Sequence, residues 1–284
     1  MNFIKVIEQM PVYIAGGKPS KDTINAYRRN ARLFINWLTN HNLNLDAASN
    51  NDARQFIHDC YQQNLSSETV NQRIAAGRAF FNTAIAISEF KNDNPFDDIK
   101  GRVNPIADET TKFFTQEEIQ KIYDTCETDR ERALILLMAI EGLRTIEIER
   151  MKLVDYDPTH GRIKIHGKGD RTAYIYPSDK TQEILQSYIG SRTAGAMFIN
   201  DIDNSGLSRE GIKWIVNRIL RKAKLKKKGV SCHALRHSCG TNLYQATKDI
   251  RLVQETLRHQ SPKVTARYTH ITNRKNATNI ISVK

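Results

Sequence analysis

The sequence feature that most constrains the fold is a change of pattern shortly after residue 100. Before it, apolar residues recur at helical spacing and no segment alternates as a β-strand would. Residues 98–108 then mix glycine, proline and charged residues without periodicity, which is typical of a linker between domains. We therefore predict a helical domain over residues 1–103, a linker over residues 104–111 and a second domain over residues 112–284.

The helices of the first domain are indicated by apolar spacing together with start and stop signals. Ser20 and Ser66 precede segments that read as first helical turns, and Gly16-Gly17 is a typical helix end. The predicted helices cover residues 1–14, 20–38, 50–63 and 69–88.

Several helices are also predicted in the second domain. Thr115 and Glu118 are spaced as a capping box at the start of one helix. The helix after it is apolar on nearly all sides, which predicts a central, buried position. One predicted helix starts at residue 115, and three others cover residues 132–140, 178–189 and 208–222.

One clear β-hairpin is present in the second domain. Residues 161–166 and 171–176 alternate as strands on either side of the turn Gly167-Lys168-Gly169-Asp170. Residues 198–201 are expected to form a short edge strand. The predicted fold class is mainly α with a small antiparallel β-sheet, in which an all-helical N-terminal domain is followed by an α+β domain.

Net charge points to a polyanionic partner. The chain has 43 Lys and Arg against 31 Asp and Glu, and residues 1–105 contribute only 12 basic and 10 acidic residues to these totals. The excess of positive charge therefore lies in the second domain, although charge alone does not separate DNA from RNA or a membrane surface. Candidate contacts to a phosphate backbone are Lys21, Arg28, Arg29, Arg32, Arg73, Arg78, Lys222, Lys224, Lys226, Lys227 and Lys228.

These basic residues also have an ordinary structural explanation. A charged face opposite an apolar stripe is the normal solvated face of a helix, and for the helix that begins at Ser20 both interpretations stay open. The basic run over residues 221–228 immediately precedes the histidine-rich stretch described below, which favours contact with phosphates.

Other features limit the location and the cofactors of the protein. No run of about eighteen apolar residues and no cleavable leader is visible, so we expect a cytoplasmic protein with no membrane partner. Cys60, Cys126, Cys232 and Cys239 lack the paired spacing of zinc sites or disulfides. We therefore expect reduced thiols and no metal.

Residues 231–270 concentrate side chains that can hold or attack a phosphate. His233 and Arg236 lie three residues apart and share a face if this segment is helical. His259 and Tyr268 follow after a Ser-Pro break, which lets the tyrosine turn back toward the earlier pair. Each residue by itself is more often structural than catalytic, so the ordered set carries the argument.

This set resembles the signature of the tyrosine recombinase or phage integrase family. The matching segments are His233-Ala-Leu-Arg236-His237, Leu257-Arg258-His259 with Tyr268 nine residues later, Gly142-Leu-Arg144-Thr-Ile-Glu147, and the hairpin turn with Lys168. The resemblance covers most of the chain. It implies a SAM-like, core-binding helical domain followed by a tyrosine recombinase catalytic domain, as in minimal two-domain Xer-like recombinases or simple integrases.

The resemblance implies a role for each matching residue. Tyr268 would attack a DNA phosphodiester, and Arg144 and Arg236 would grip its non-bridging oxygens, with Glu147 in support. His233 would act as the base or bind a phosphate oxygen, His259 would donate to another oxygen, and Lys168 would protonate the leaving 5′ oxygen. The cut would proceed through a 3′-phosphotyrosyl intermediate without metal or ATP, and no cofactor is expected. The implied partner is double-stranded DNA, on which four copies of the chain would bind two sites. The free protein would be a monomer or a weak oligomer.

Two positions depart from the family pattern, and two other functions stay open. Arg258 stands where the family usually has glycine, and Glu141 where a small or hydroxylated residue is common. A type IB topoisomerase would share the tyrosine chemistry, and a DNA-binding protein could keep the fold without cutting. The tail over residues 269–284 would either pack, on a neighbouring copy or on its own domain, or be a frayed terminus, and the sequence does not favour packing over fraying.

Overall fold

A computed structural model describes residues 1–102, 112–167, 172–227, 229–258 and 265. The chain divides into two compact units, Met1–Ile106 and Ala107–Lys284, each with a hydrophobic core of its own. The linker predicted over residues 104–111 lies outside the described residues. No helix in the described ranges is long and apolar enough to cross a membrane.

All regular secondary structure in the described part of the first unit is helical, as predicted. Serine side chains cap its second, third and fourth helices by accepting a bond from the first turn. Phe34 lies at the centre of the core, with its ring edge-on to Phe96 at 4.9 Å and to Phe56 at 5.2 Å between centroids. The helices are α1 (Phe3–Tyr13), α2 (Lys21–Asn40), α3 (Asn50–Gln62) and α4 (Ser67–Ala86).

The second unit combines helices with a small sheet, which confirms the predicted fold class. The apolar helix is central, because nearly all of its residues are buried. The capping box of Thr115 and Glu118 is formed as predicted. The helices described in this unit are α5 (Gln116–Asp124), α6 (Asp129–Ala139), α7 (Thr145–Arg150), α8 (Asp179–Ile189), α9 (Arg209–Lys222), α10 (Cys232–Thr247) and α11 (Ile250–Thr256).

The sheet has three antiparallel strands in the order β1 (Tyr156–Asp157), β2 (Arg162–His166) and β3 (Thr172–Ile175). The hairpin was predicted, whereas β1 was not, because two residues are too short to show an alternation. The prediction of an edge strand over residues 198–201 is wrong. Ile199 forms only an isolated bridge with Gly206, and a second isolated bridge, between Lys152 and Ala196, precedes this segment.

Candidate active site

The turn between α6 and α7 requires a glycine. Gly142 has a φ of +63°, in the left-handed region that residues with a Cβ rarely adopt. A Cβ placed there would lie 2.6 Å from Leu257 Cδ2 and 3.0 Å from Cys239 Sγ. The turn therefore packs closely on α10 and on the end of α11. Two residues later, Arg144 forms the N-cap of α7.

Glu147 holds Arg144 at the start of α7. Its Oε2 accepts a bond of 2.8 Å from the Arg144 backbone N–H, and its Oε1 accepts one of 2.8 Å from Arg144 Nη1. The Glu147 side chain is only 4% exposed, whereas that of Arg144 is 37% exposed. A buried carboxylate thus positions an arginine that still reaches solvent, so this is not a surface ion pair.

Arg236 on α10 joins the same turn to α11. Its guanidinium donates to the carbonyl oxygens of Gly142 and Leu257, and its Nη1 lies 4.0 Å from Glu147 Oε2. The Arg236 side chain is buried. The structure therefore brings together Arg144, Glu147 and Arg236, which the sequence separates by about ninety residues.

Arg258 is a fourth member of this cluster and was not among the predicted site residues. It follows the end of α11, and its Nη2 lies 3.3 Å from both Glu147 Oε2 and the Gly142 carbonyl oxygen. Its Nη1 donates to the Thr256 carbonyl oxygen at 2.8 Å. A signal was visible in the sequence, since an arginine replaces the usual glycine beside His259.

The cluster carries more positive charge than its carboxylate can neutralise. Burial would raise the pKa of Glu147, but the charge of Arg258, the Arg144 backbone N–H, and the charges of Arg144 and Arg236 together hold that pKa below its usual value. Burial lowers the pKa of Arg258, and Glu147 opposes this change. Three guanidinium groups around one ionised carboxylate leave an excess of positive charge, which suits an anion.

His233 is one helical turn before Arg236 on α10, as predicted. Its side chain remains open to solvent, while Arg236 is turned inward. The pKa of His233 is below its usual value, first because surrounding protein atoms reduce its hydration and then because of the charges of Arg236, Lys213 and Arg144. The imidazole is therefore neutral at pH 7 and can accept a proton. Lys213, on α9, was not predicted to act near this site.

The other candidate catalytic residues, Lys168, His259 and Tyr268, lie outside the described residues, as does Lys228. The described part of the chain thus contains Arg144, Glu147, His233 and Arg236 of the predicted set. It holds no group of three or more His, Cys, Asp or Glu side chains that could bind a metal.

Several residues predicted to contact a phosphate backbone instead bond within the protein. Arg78 Nη2 donates to the carbonyl oxygens of Phe96 and Ile99, at 3.1 and 2.8 Å. Arg73 Nη1 bonds Cys60 Sγ at 3.0 Å. Both residues are half-buried, and these bonds within the protein account for them as fully as DNA contact would. Their role in DNA binding stays a prediction.

The remaining candidates for DNA contact differ in whether their side chains bond other groups of the protein. Arg28 Nε donates to the Ile7 carbonyl oxygen at 3.3 Å, Lys222 pairs with Glu127 at 2.6 Å, and Lys226 Nζ donates to Asn217 Oδ1 at 2.7 Å. Lys222 is exposed despite this pairing, and the other exposed candidates are Lys21, Arg29, Arg32, Lys224 and Lys227. Contact with DNA by any of these residues stays a prediction.

Comparison with protein families agrees with this geometry. The model described as the phage integrase family matches residues 112–275, which is more than half of the chain. The chain belongs to the phage integrase family. The N-terminal SAM-like domain of phage integrases matches residues 12–87, within the first unit. The family resemblance noted in the sequence is thereby confirmed.

This phage integrase family member resembles named relatives in sequence and solved structures in fold. A protein of Staphylococcus saprophyticus named tyrosine recombinase XerC is 26% identical over 268 residues, covering 89% of this chain and 88% of that protein. The XerH recombinase in a post-cleavage complex with difH has a TM-score of 0.71 at 23% identity, over 92% of this chain and 79% of that chain. A lambda integrase tetramer bound to a Holliday junction gives 0.73 at 15% identity, over 95% and 78%. These last two likenesses concern the fold.

The departure from the family pattern at Glu141 has a local structural reason. Glu141 Oε1 accepts bonds from the Ser178 backbone N–H at 3.0 Å, from Ser178 Oγ at 2.9 Å and from Thr181 Oγ1 at 2.7 Å. The side chain of Ser178, the N-cap of α8, makes no capping bond of its own. Glu141 therefore supplies the acceptor at the start of α8.

Proposed function

We propose that Tyr268 is the nucleophile with which this site-specific tyrosine recombinase cuts and rejoins DNA. The observation that carries the proposal is the convergence of Arg144 and Arg236 on one buried carboxylate, Glu147. The relatives named tyrosine recombinase XerC support the reaction class. The residue roles proposed here are those that the family resemblance implies, and the chemistry of the side chains agrees with them.

Binding of the scissile phosphate is assigned to the arginines. A phosphodiester carries one negative charge, and its pentavalent transition state carries about two. The guanidinium of Arg144 is held on one side by Glu147 and stays partly exposed on the other. Arg236 brings a second positive charge to within 4.0 Å of the same carboxylate. Guanidinium groups fixed in advance stabilise the growing charge without reorganisation during the reaction.

Proton transfer is the second requirement. A phenol has a pKa of about 10, so its phenolate costs about 4 kcal/mol at pH 7 unless cations stabilise it or a base accepts the proton. A neutral His233 accepts the Tyr268 proton or bonds a phosphate oxygen, and His259 donates to another oxygen. As the bond from Tyr268 Oη to phosphorus forms, the bond to the 5′ oxygen breaks and Lys168 gives that oxygen a proton. Attack by a second 5′-hydroxyl reverses these steps and releases the tyrosine.

We further propose double-stranded DNA as the partner, with four copies of the chain on two sites. The solved neighbours include XerH bound to difH and a lambda integrase tetramer on a Holliday junction, which supports DNA binding and oligomerisation here. Free protein is proposed to be a monomer or weak oligomer. The boundaries proposed for the domains are residues 1–103 and 112–284, joined by a linker over residues 104–111.

The test is covalent capture of DNA. Cells expressing the protein are lysed in detergent, protein-linked DNA is recovered, and the trapped sequence is used to make a substrate nicked beside the scissile phosphate. We expect the parent protein to form a covalent adduct with this substrate and Tyr268→Phe to form none. Tyr123→Phe, on α5 of the same unit, is the matched control and should react like the parent.

Three results would contradict the proposal. An adduct that survives Tyr268→Phe would remove Tyr268 as the nucleophile. Relaxation of supercoiled plasmid without any preferred site would indicate a type IB topoisomerase. Specific binding to DNA with no adduct in any variant would indicate a binding protein that does not cut.

A further inference from the structure

Arg258 occupies a backbone conformation that is unusual for its residue type. Its φ is +51°, in the left-handed region where a Cβ crowds the backbone. Lys224 and Lys248 also have positive φ at helix ends, but their side chains are exposed. The Arg258 side chain is only 16% exposed. Of these three cationic residues, Arg258 is thus the one whose side chain turns into the protein.

The inward orientation connects three parts of the second unit. One nitrogen of Arg258 bonds the Thr256 carbonyl oxygen within α11. The other lies 3.3 Å from the Gly142 carbonyl oxygen, in the turn before α7, and 3.3 Å from Glu147 on α7. Both terminal nitrogens of Arg258 therefore have protein acceptors, and they join the end of α11 to the turn before α7 and to α7 itself.

We propose that Arg258 is a positioning residue for strand cleavage, an inference that rests on the proposed function. Its bonds to Glu147 and Gly142 fix the end of α11 relative to the carboxylate that holds Arg144. His259, which is proposed above to donate to a phosphate oxygen, is the next residue in the chain. Arg258 thereby sets the relative placement of two groups on the scissile phosphate without touching it.

Two substitutions and a control test the proposal. Arg258→Gly removes the side chain and fits the left-handed backbone without strain. Arg258→Lys keeps a cation beside Glu147 but cannot bond three acceptors with a planar group. Lys248→Gly is the matched control, since it removes an exposed cation from a left-handed helix end in the same unit. Single-turnover cleavage, DNA affinity over a range of salt concentrations and thermal unfolding are measured for each protein.

Loss of positioning should lower the cleavage rate and leave DNA binding intact. Misplacement of a reacting group by about 1 Å can cost about 100-fold in rate, so we expect Arg258→Gly to cleave about 10- to 100-fold more slowly than the parent. Arg258→Lys should fall between the two, and Lys248→Gly should match the parent. The slope of log affinity against log salt should not change in the Arg258 variants.

Several outcomes would overturn the proposal. One is equal cleavage rates for the parent and both Arg258 variants. If the glycine variant does not fold, a lysine variant as fast as the parent overturns it equally. A salt slope reduced by about 0.9 would show that Arg258 binds a phosphate itself. If the parent forms no adduct that depends on Tyr268, the proposed function fails first, which separates the two failures.

Discussion

Replacing Glu147 with glutamine should destabilise the second unit through the arginines that converge on it. Glutamine has nearly the same shape and keeps one acceptor oxygen. It cannot, however, provide both an acceptor for Arg144 Nη1 and one for the Arg144 backbone N–H and Arg258 Nη2. The substitution also removes the only negative charge that Arg144, Arg236 and Arg258 share among the described contacts.

The size of the effect follows from the burial of each partner. Breaking a buried ion pair costs about 3–5 kcal/mol, because a buried charge loses its partner. Arg144 is 37% exposed, so its share is reduced to about 0–1 kcal/mol by solvent. Arg236 and Arg258 are largely buried, but they lie 4.0 and 3.3 Å from the carboxylate. We therefore expect a loss of about 2–4 kcal/mol in the free energy of unfolding, or roughly 5–15 °C in Tm.

The pH dependence gives the prediction a sign. The pKa of folded Glu147 is below its unfolded value of about 4.3, so its ionised form stabilises the fold above that pH. This stability is lost as pH falls through the lower folded pKa. Glutamine does not titrate. The difference between parent and variant should thus be constant from about pH 7 to pH 5 and shrink below about pH 4.

Urea and thermal unfolding at several pH values provide the measurement. The control is Glu183→Gln, which removes the same group from an exposed pair with Lys180 on α8 and should change stability by less than about 0.5 kcal/mol. The reasoning is refuted if the Glu147 variant is as stable as the parent at pH 7. It is also refuted if the difference grows on acidification.

Two further predictions concern the turn before α7. Gly142→Ala should cost about 2–4 kcal/mol of unfolding free energy in urea, because the added Cβ meets Leu257 closely and the φ is left-handed. The control is Gly16→Ala, where φ is +64° but a Cβ would meet no neighbouring atom within 4 Å, so only the backbone cost should appear. Glu141→Ala should cost about 0.5–2 kcal/mol by removing the acceptor at the start of α8, and Glu141→Gln should cost less because it keeps an oxygen. Equal stability of the alanine and glutamine variants at position 141 would contradict the capping role.

Features set by nearby residues were predicted from the sequence. Helix starts such as those at Ser20 and Thr115 depend on one side chain and its own first turn, and they form as expected. The hairpin depends on alternation and a glycine-containing turn, both of which are visible in the sequence. The ordered motif was also sufficient to identify the family before any contact was known.

Features that depend on distant contacts were not predicted. The space at Gly142 is closed by Cys239 and Leu257, about one hundred residues later, so a motif match could not explain the glycine. The inward turn of Arg258 depends on Glu147, and the internal bonds of Arg78 depend on carbonyl groups of another segment. Basic residues look alike in sequence whether they face solvent, DNA or the protein interior.

Mapping the residue that carries DNA tests the central claim most directly. The trapped adduct is digested with nuclease and trypsin, and the peptides are analysed by mass spectrometry. Trypsin cuts after Arg267 and Arg274, so the account predicts a residual 3′-phosphonucleotide on the peptide of residues 268–274, at Tyr268. A nucleotide on any other residue, or linked through its 5′ phosphate, would contradict the account.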